Sequence, residues 1–137
     1  MLTVAFAGIL FSGCKKDNKN AAAITVAKIA GVYVITDMKL KVGNQESDIF
    51  KQLTPCAQRD TYGFGADGTF QFGGAVDQNC ADDDYTGTWS LSDNIITIER
   101  GGTNGTSTMA ISSLTSTQVV VTYINSQGNL TTTLTRQ

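Results

Sequence analysis

From residue 32 onwards, apolar side chains recur at every second position in short runs, separated by clusters of Gly, Asp, Asn and Ser. Val32, Val34, Met38, Leu40 and Val42 form the first run, with Lys39 and Lys41 between them. Such alternation marks a half-buried strand, whose successive side chains point to opposite faces. Tyr62, Phe64, Phe70 and Phe72 alternate around Ala66-Asp67-Gly68. A short loop with Gly68 in the left-handed conformation sets Phe64 opposite Phe70 and Tyr62 opposite Phe72 on one hairpin face. Trp89 and Leu91 then meet Ile98 and Ile96 across Asp93-Asn94, which leaves Ser90 and Thr97 on the wet side. Ser107 to Leu114 reads as a further strand, and Val119, Val121 and Tyr123 face Leu134 and Leu130 across a turn near Gln127-Gly128. Helical signals are few. Residues 22–30 read as a short helix or irregular lead-in, and Ser47 is placed to cap a turn grouping Ile49, Phe50 and Leu53.

This pattern predicts about eight strands at the spacing of an all-β barrel or sandwich. Because the hairpins join sequence neighbours, the expected fold is a small antiparallel up-and-down β-barrel. Fourteen glycines and a single proline suit many tight turns. One domain, residues 24–137, accounts for all of this.

Residues 1–23 follow a different pattern. Leu2 to Phe11 is an apolar run ending in Ser12-Gly13-Cys14, and Lys15-Lys16-Asp17-Asn18-Lys19-Asn20 follows. The run falls short of the ~20 residues that a spanning helix needs, but it suits the apolar centre of a secretory signal. Phe11-Ser12-Gly13-Cys14 resembles the lipobox of bacterial lipoproteins, with Phe11 where Leu is usual. That resemblance implies that residues 1–13 are a cleaved signal peptide and that Cys14 carries the lipid. Residues 14–23 then form the lipidated cysteine and a solvated tether. Signals begin with Lys or Arg, and Met1-Leu2-Thr3 supplies neither, so a start upstream of Met1 is expected. The implied location is the cell envelope of a Gram-negative bacterium, anchored to the outer membrane and either periplasmic or surface-exposed.

With Cys14 assigned to lipid, Cys56 and Cys80 remain, and an even pair in an exported chain reads as a disulfide. Extending the Tyr62–Phe72 ladder puts Cys56 opposite Gln78, close to Cys80. The carboxylates Asp60 and Asp82 to Asp84 would raise a thiol pKa, which argues against a reactive cysteine.

The remaining chemistry is mostly excluded. The chain has no histidine, which removes Ser–His–Asp and Cys–His catalysis as well as His-ligated zinc. A net charge of -2 argues against a nucleic-acid partner. Asp82, Asp84, Thr86, Gly87 and Asp93 mimic part of a calcium-loop spacing, but the strand at Trp89 makes a solvated acidic loop the expected outcome. Asp37, Asp60, Asp67, Asp77 and Glu99 fall mostly in turns, and no spacing selects a catalytic pair. No enzyme, metal or cofactor is expected. The aromatic set Tyr33, Tyr62, Phe64, Phe70, Phe72, Trp89 and Tyr123 either lines a pocket for a small apolar ligand or packs the barrel shut. Residues 101–135 carry no charged side chain, so their outer faces could meet a protein or glycan unless the barrel closes there.

The order Gly31-Val32-Tyr33, Cys56, Tyr62-Gly63-Phe64, Asp67-Gly68-Thr69-Phe70, Cys80, Gly87-Thr88-Trp89-Ser90-Leu91, Asn94-Ile95-Ile96-Thr97-Ile98 and Leu114-Thr115-Ser116-Thr117 resembles the bacterial lipocalin-like lipoprotein domains. The resemblance spans residues 24–137 and implies a small eight-stranded barrel, usually of unknown ligand, with no functional side chains to carry over; the expected function is a membrane-anchored, non-catalytic module that binds a small apolar ligand. Lipocalins proper carry Gly-x-Trp on the first strand, where this chain has Tyr33. The alternative function is a structural or interaction lipoprotein whose packed barrel contacts an envelope partner.

Overall fold

The computed structural model describes residues 23–73, 84–102 and 105–137. A one-turn helix, α1 (Val26–Ile29), leads into β1 (Gly31–Val42). The strands that follow are β2 (Gln45–Asp48), β3 (Thr61–Phe64), β4 (Thr69–Gly73), β5 (Tyr85–Ser92), β6 (Ile95–Arg100), β7 (Thr106–Leu114), β8 (Gln118–Asn125) and β9 (Gly128–Arg136). Every pairing is antiparallel, and β3 to β9 each pair with the next strand in sequence.

The long first strand closes the barrel. One edge of β1 pairs with β9 from Tyr33 to Lys41. Its other edge is shared: β3 takes Gly31 to Val34, and β2 takes Lys39 to Val42. The result is an eight-stranded barrel with β2 as an added strand. Closure leaves β7, β8 and β9 paired on both sides, so these strands, uncharged up to Thr135, present no open edge. Their outward hydroxyls bond to one another across the strands, as in Ser112–Thr122 at 2.9 Å and Thr36–Thr135 at 2.8 Å.

Local chemistry sets the hairpins as the alternation predicts. Phe64 pairs with Phe70 and Tyr62 with Phe72, and Gly68 takes φ +86° in the connecting turn. Asp67 holds that turn by accepting from the Thr69 amide at 3.0 Å and the Thr69 hydroxyl at 2.7 Å. Trp89 pairs with Ile98 and Leu91 with Ile96, across a two-residue turn in which Asp93 has φ 53°. Val119 pairs with Leu134 and Tyr123 with Leu130.

Three local expectations are corrected. The first concerns which face of β1 is inside. Tyr33 is fully buried, whereas Val32 is 47% exposed and Val42 52%. For Val32 the cause is a bulge between Ile35 and Asp37 that leaves Thr36 out of the β9 ladder; Val42 keeps the parity of Met38 and Leu40 and is exposed at the strand's end. One extra residue reverses the alternation, so Tyr33 and Ile35 point inward before it, and Met38 and Leu40 after it. Second, Ser47 lies within β2 and does not cap the turn after it; Asp48 receives the Lys51 amide at 3.2 Å instead. Third, the β3 ladder ends at Thr61, and residues Ala57–Arg59 form a 3₁₀ turn after Cys56, so Cys56 stands outside the ladder. Gln78 and Cys80, like Cys14 and the rest of residues 1–22, lie outside the described residues.

Candidate functional site

The two ends of the barrel differ. At one end, Ile29 of α1 is buried in the core, and a cleft of about 710 Å³ is lined by Ile24, Ala27, Lys28, Leu114 and Arg136. Arg136, at the end of β9, donates to the carbonyls of Ala30 at 2.7 Å and Lys28 at 2.9 Å, and to the Tyr33 hydroxyl at 2.7 Å. The Tyr33 hydroxyl in turn donates to the Ile29 carbonyl at 2.7 Å. Trp89 donates from its indole nitrogen to the Gly65 carbonyl at 2.8 Å, which ties β5 to the turn between β3 and β4. These bonds satisfy groups that burial would otherwise leave unpaired.

Above this floor the core is packed. Phe70, Ile96 and Val121 have no exposure, and Ile98, Met109, Val119 and Leu134 are within 2% of none. Aromatic rings continue from the floor toward the open end. Phe64 lies 5.2 Å from Trp89 and 5.3 Å from Phe70, and Phe72 stacks on Tyr85 at 5.0 Å. The expected aromatic set therefore divides in two: Tyr33, Phe64, Phe70 and Trp89 belong to the packed core, while Tyr62, Phe72 and Tyr123 are partly buried against it.

Two residues complete that end. Tyr85 is partly buried beside Phe70 and Phe72, and Arg100 places its guanidinium carbon 4.8 Å from the Tyr85 ring centroid. The alternation Tyr85, Gly87, Trp89, Leu91 is the sequence signal that would have found Tyr85. Arg100 extends the inward alternation of Ile96 and Ile98.

The phenols here are held neutral. Burial is the main cause at Tyr62, reinforced by the neighbouring phenols Tyr123 and Tyr85 and by Asp60, with Arg100 opposing. Tyr123 is pushed up to about 12, first by burial and then by Tyr85. Tyr85 is raised by burial while Arg100 pulls it back through its charge and a hydrogen bond. Neutral phenols are hydrogen-bond donors. Deeper on the interior wall, Thr132 is 2% exposed and its hydroxyl has no hydrogen-bond partner.

Asp60 acts on the Tyr62 phenol and Asp84 lies beside Tyr85, but the ion-paired carboxylates sit elsewhere. Asp37 and Glu46 sit 3.7 and 3.8 Å from Lys39, and Asp48 sits 2.8 Å from Lys51, all on the surface. Asp67 and Asp93 serve turns. Asp77, Asp82 and Asp83 lie outside the described residues, so the acidic-loop expectation lies there too.

A small closed up-and-down barrel of eight strands, with half-buried aromatic groups packed against its core, defines the structural class. A family model described as a lipocalin-like domain matches residues 29–121, and the chain belongs to that family. A lipocalin-like protein from Bacteroides uniformis superposes with a TM-score of 0.56 at 13% identity, covering 80% of this chain and 99% of the other. An uncharacterized protein from Bacteroides eggerthii gives 0.54 at 16% identity, covering 79% and 98%. Likeness at these identities speaks to the fold. No curated protein sequence matches the chain.

Proposed function

We propose that this chain is a lipid-anchored envelope protein whose barrel binds a small, largely apolar ligand at its open end, without catalysis. The observation that carries this reading is the contrast between the ends. Arg136, Tyr33 and Ile29 pack together at one end, whereas Tyr62, Phe72, Tyr85 and Tyr123 form a half-buried aromatic wall toward the other. Apolar walls with a few placed polar groups are the usual make-up of small-molecule sites. The family supports a binding role as well. Native mass spectrometry of the purified chain after exposure to a lipid extract tests it. A retained small molecule that Tyr62→Ala and Tyr123→Ala release is expected; an empty spectrum overturns the reading.

The anchor is proposed from Phe11-Ser12-Gly13-Cys14 and the polar stretch that follows. Several acyl chains at roughly 0.8 kcal/mol per buried methylene hold far more firmly than one. The mass of the chain taken from outer membranes should show residues 1–13 removed and a diacylglyceryl group on Cys14. An unmodified Cys14 thiol with residues 1–13 retained overturns the anchor.

The packed lower half favours one second reading, a barrel that contacts a protein or glycan through its outer wall. Cross-linking in intact cells that captures one defined partner, with no small molecule retained, would select it.

A further inference from the structure

The chain coming from Cys14 reaches the barrel at the α1 end. Ala23 is held there, because the Lys28 ammonium donates to its carbonyl at 2.9 Å. Residues 15–22 separate it from Cys14. A segment of that length spans about 30 Å fully extended and roughly half that as a coil, so a lipid on Cys14 keeps this end nearest the bilayer. A short tether raises the local concentration of the surface it holds, so that weak contacts form.

The surface at the same place is apolar. Among the described residues the large apolar side chains that stand exposed are Val26, Val32, Val42 and Ile95. Val26, 37% exposed on α1, and Ile95, 47% exposed at the start of β6, line one cleft together with Ala23, Ile24 and Leu91. Ile24 and Leu91 are only partly buried against the core, so they extend the patch. Single exposed apolar residues need no explanation, but a cluster of them beside an anchored segment marks a contact surface. The charged groups lining the clefts at this end are Lys28, Arg136 and Asp93. Lys15, Lys16 and Lys19, against Asp17, add positive charge on the way to Cys14. Apolar side chains flanked by lysines suit phosphate headgroups laid over acyl chains.

We propose, resting on the Cys14 anchor above, that the α1 end is a membrane-docking face, with Val26 and Ile95 in the boundary between headgroups and acyl chains and Lys28 at the lipid phosphates. Burying the two apolar side chains should favour the docked orientation by about ten- to hundred-fold. The barrel then stands on the bilayer instead of swinging freely from its tether.

The test uses the mature lipoprotein taken from outer membranes. It is reconstituted into vesicles of phosphatidylethanolamine and phosphatidylglycerol that include a phospholipid with a diazirine on its acyl chain. After irradiation, peptide mass spectrometry locates the lipid adducts. Peptides containing Val26 and Ile95 should carry about ten-fold or more the label of those containing Val42, although Val42 is the more exposed at 52% and stands at the other end of β1. Val26→Asp combined with Ile95→Asp should lower the label to the level at Val42. Equal label at the two ends, none at either, or label that survives the double substitution overturns the proposal. An unlabelled patch with Lys28 of two copies joined by a lysine cross-linker assigns the face to self-association and overturns it as well. The same spectra report on Cys14. A diacylglyceryl group there with an unlabelled patch leaves the anchor standing and removes the docking face, whereas an unmodified Cys14 removes both. Should the double variant fail to fold, the contrast with Val42 in the unmodified chain still decides.

Discussion

The guanidinium of Arg136 lies over the ring of Tyr33, 5.0 Å from its centroid, while one nitrogen donates to the Tyr33 hydroxyl at 2.7 Å. The two residues are paired across β1 and β9, so this contact locks the strands that close the barrel. The same side chain also ties down the carbonyls of Lys28 and Ala30 that flank the end of α1. Gly31 is part of the arrangement, because a Cβ there would meet the guanidinium of Arg136 and its φ of +153° disfavours a side chain. Arg136→Met should destabilise the fold by about 2–4 kcal/mol, since it strands partly buried carbonyls as well as removing a charged donor. Tyr33→Phe should cost about 1 kcal/mol. The double variant should lose less than the sum, because the two share one bond. Urea melts of the four proteins check this, and strict additivity would show that the contact is incidental.

All four tyrosines have phenols raised above their usual value, chiefly by burial. In the unfolded chain they ionise near pH 10. The folded state holds them neutral, so their stabilising contribution is whole below about pH 10 and is lost as pH rises through the folded values, about 12 for Tyr123. The phenolate absorbance of the native chain should therefore stay flat through pH 10 and rise together with unfolding. In denaturant it should titrate near 10. An ordinary titration near 10 by the native chain would mean that the open end is wetter than its geometry implies.

The hairpins were legible because alternation and turn residues agree within short segments: Phe64 faces Phe70 and Trp89 faces Ile98 as their spacing requires. The inner face of β1 was not. Val32, Val34 and Met38 share one parity in the sequence, and nothing local announces that Thr36 will be looped out to place Tyr33 inside. The bulge is decided by β9, almost a hundred residues away. Tyr62, Phe72 and Tyr123 were legible as site residues by their strand spacing. Tyr85 was hidden by the Asp82-Asp83-Asp84 run before it, which draws it into a loop reading. Nothing in the sequence pattern singles out Arg100 or Arg136. Only closure brings Arg136 over Tyr33, and only the inward turn of β6 brings Arg100 to Tyr85.

The expected bond between Cys56 and Cys80 also has a measurable consequence. Closing a loop of about 25 residues should add ~3.5 kcal/mol on the chain-entropy model. Peptide mapping of exported protein without reductant should yield one fragment joining Cys56 to Cys80, and a reducing agent should lower the melting temperature by roughly 10–20 °C. Two alkylatable thiols in exported protein would remove the bond and, with it, part of the case for an oxidising location.

Thr132 is placed where an apolar residue of the same shape would fit. It faces the interior between Met38 and Val121, it is buried, and its hydroxyl is unmatched. Valine is close in size, and both residues favour the strand conformation. Thr132→Val should therefore raise the stability of the ligand-free chain by about 1–2 kcal/mol, the cost of a buried hydroxyl without a partner. Its effect on ligand retention should be small, because Thr132 sits in the packed core beside Val121 and away from the aromatic wall. Thermal melts with and without bound molecule separate the two effects. A variant less stable than the parent in both states would show that water already satisfies Thr132 and that the hydroxyl belongs to the core rather than to the site.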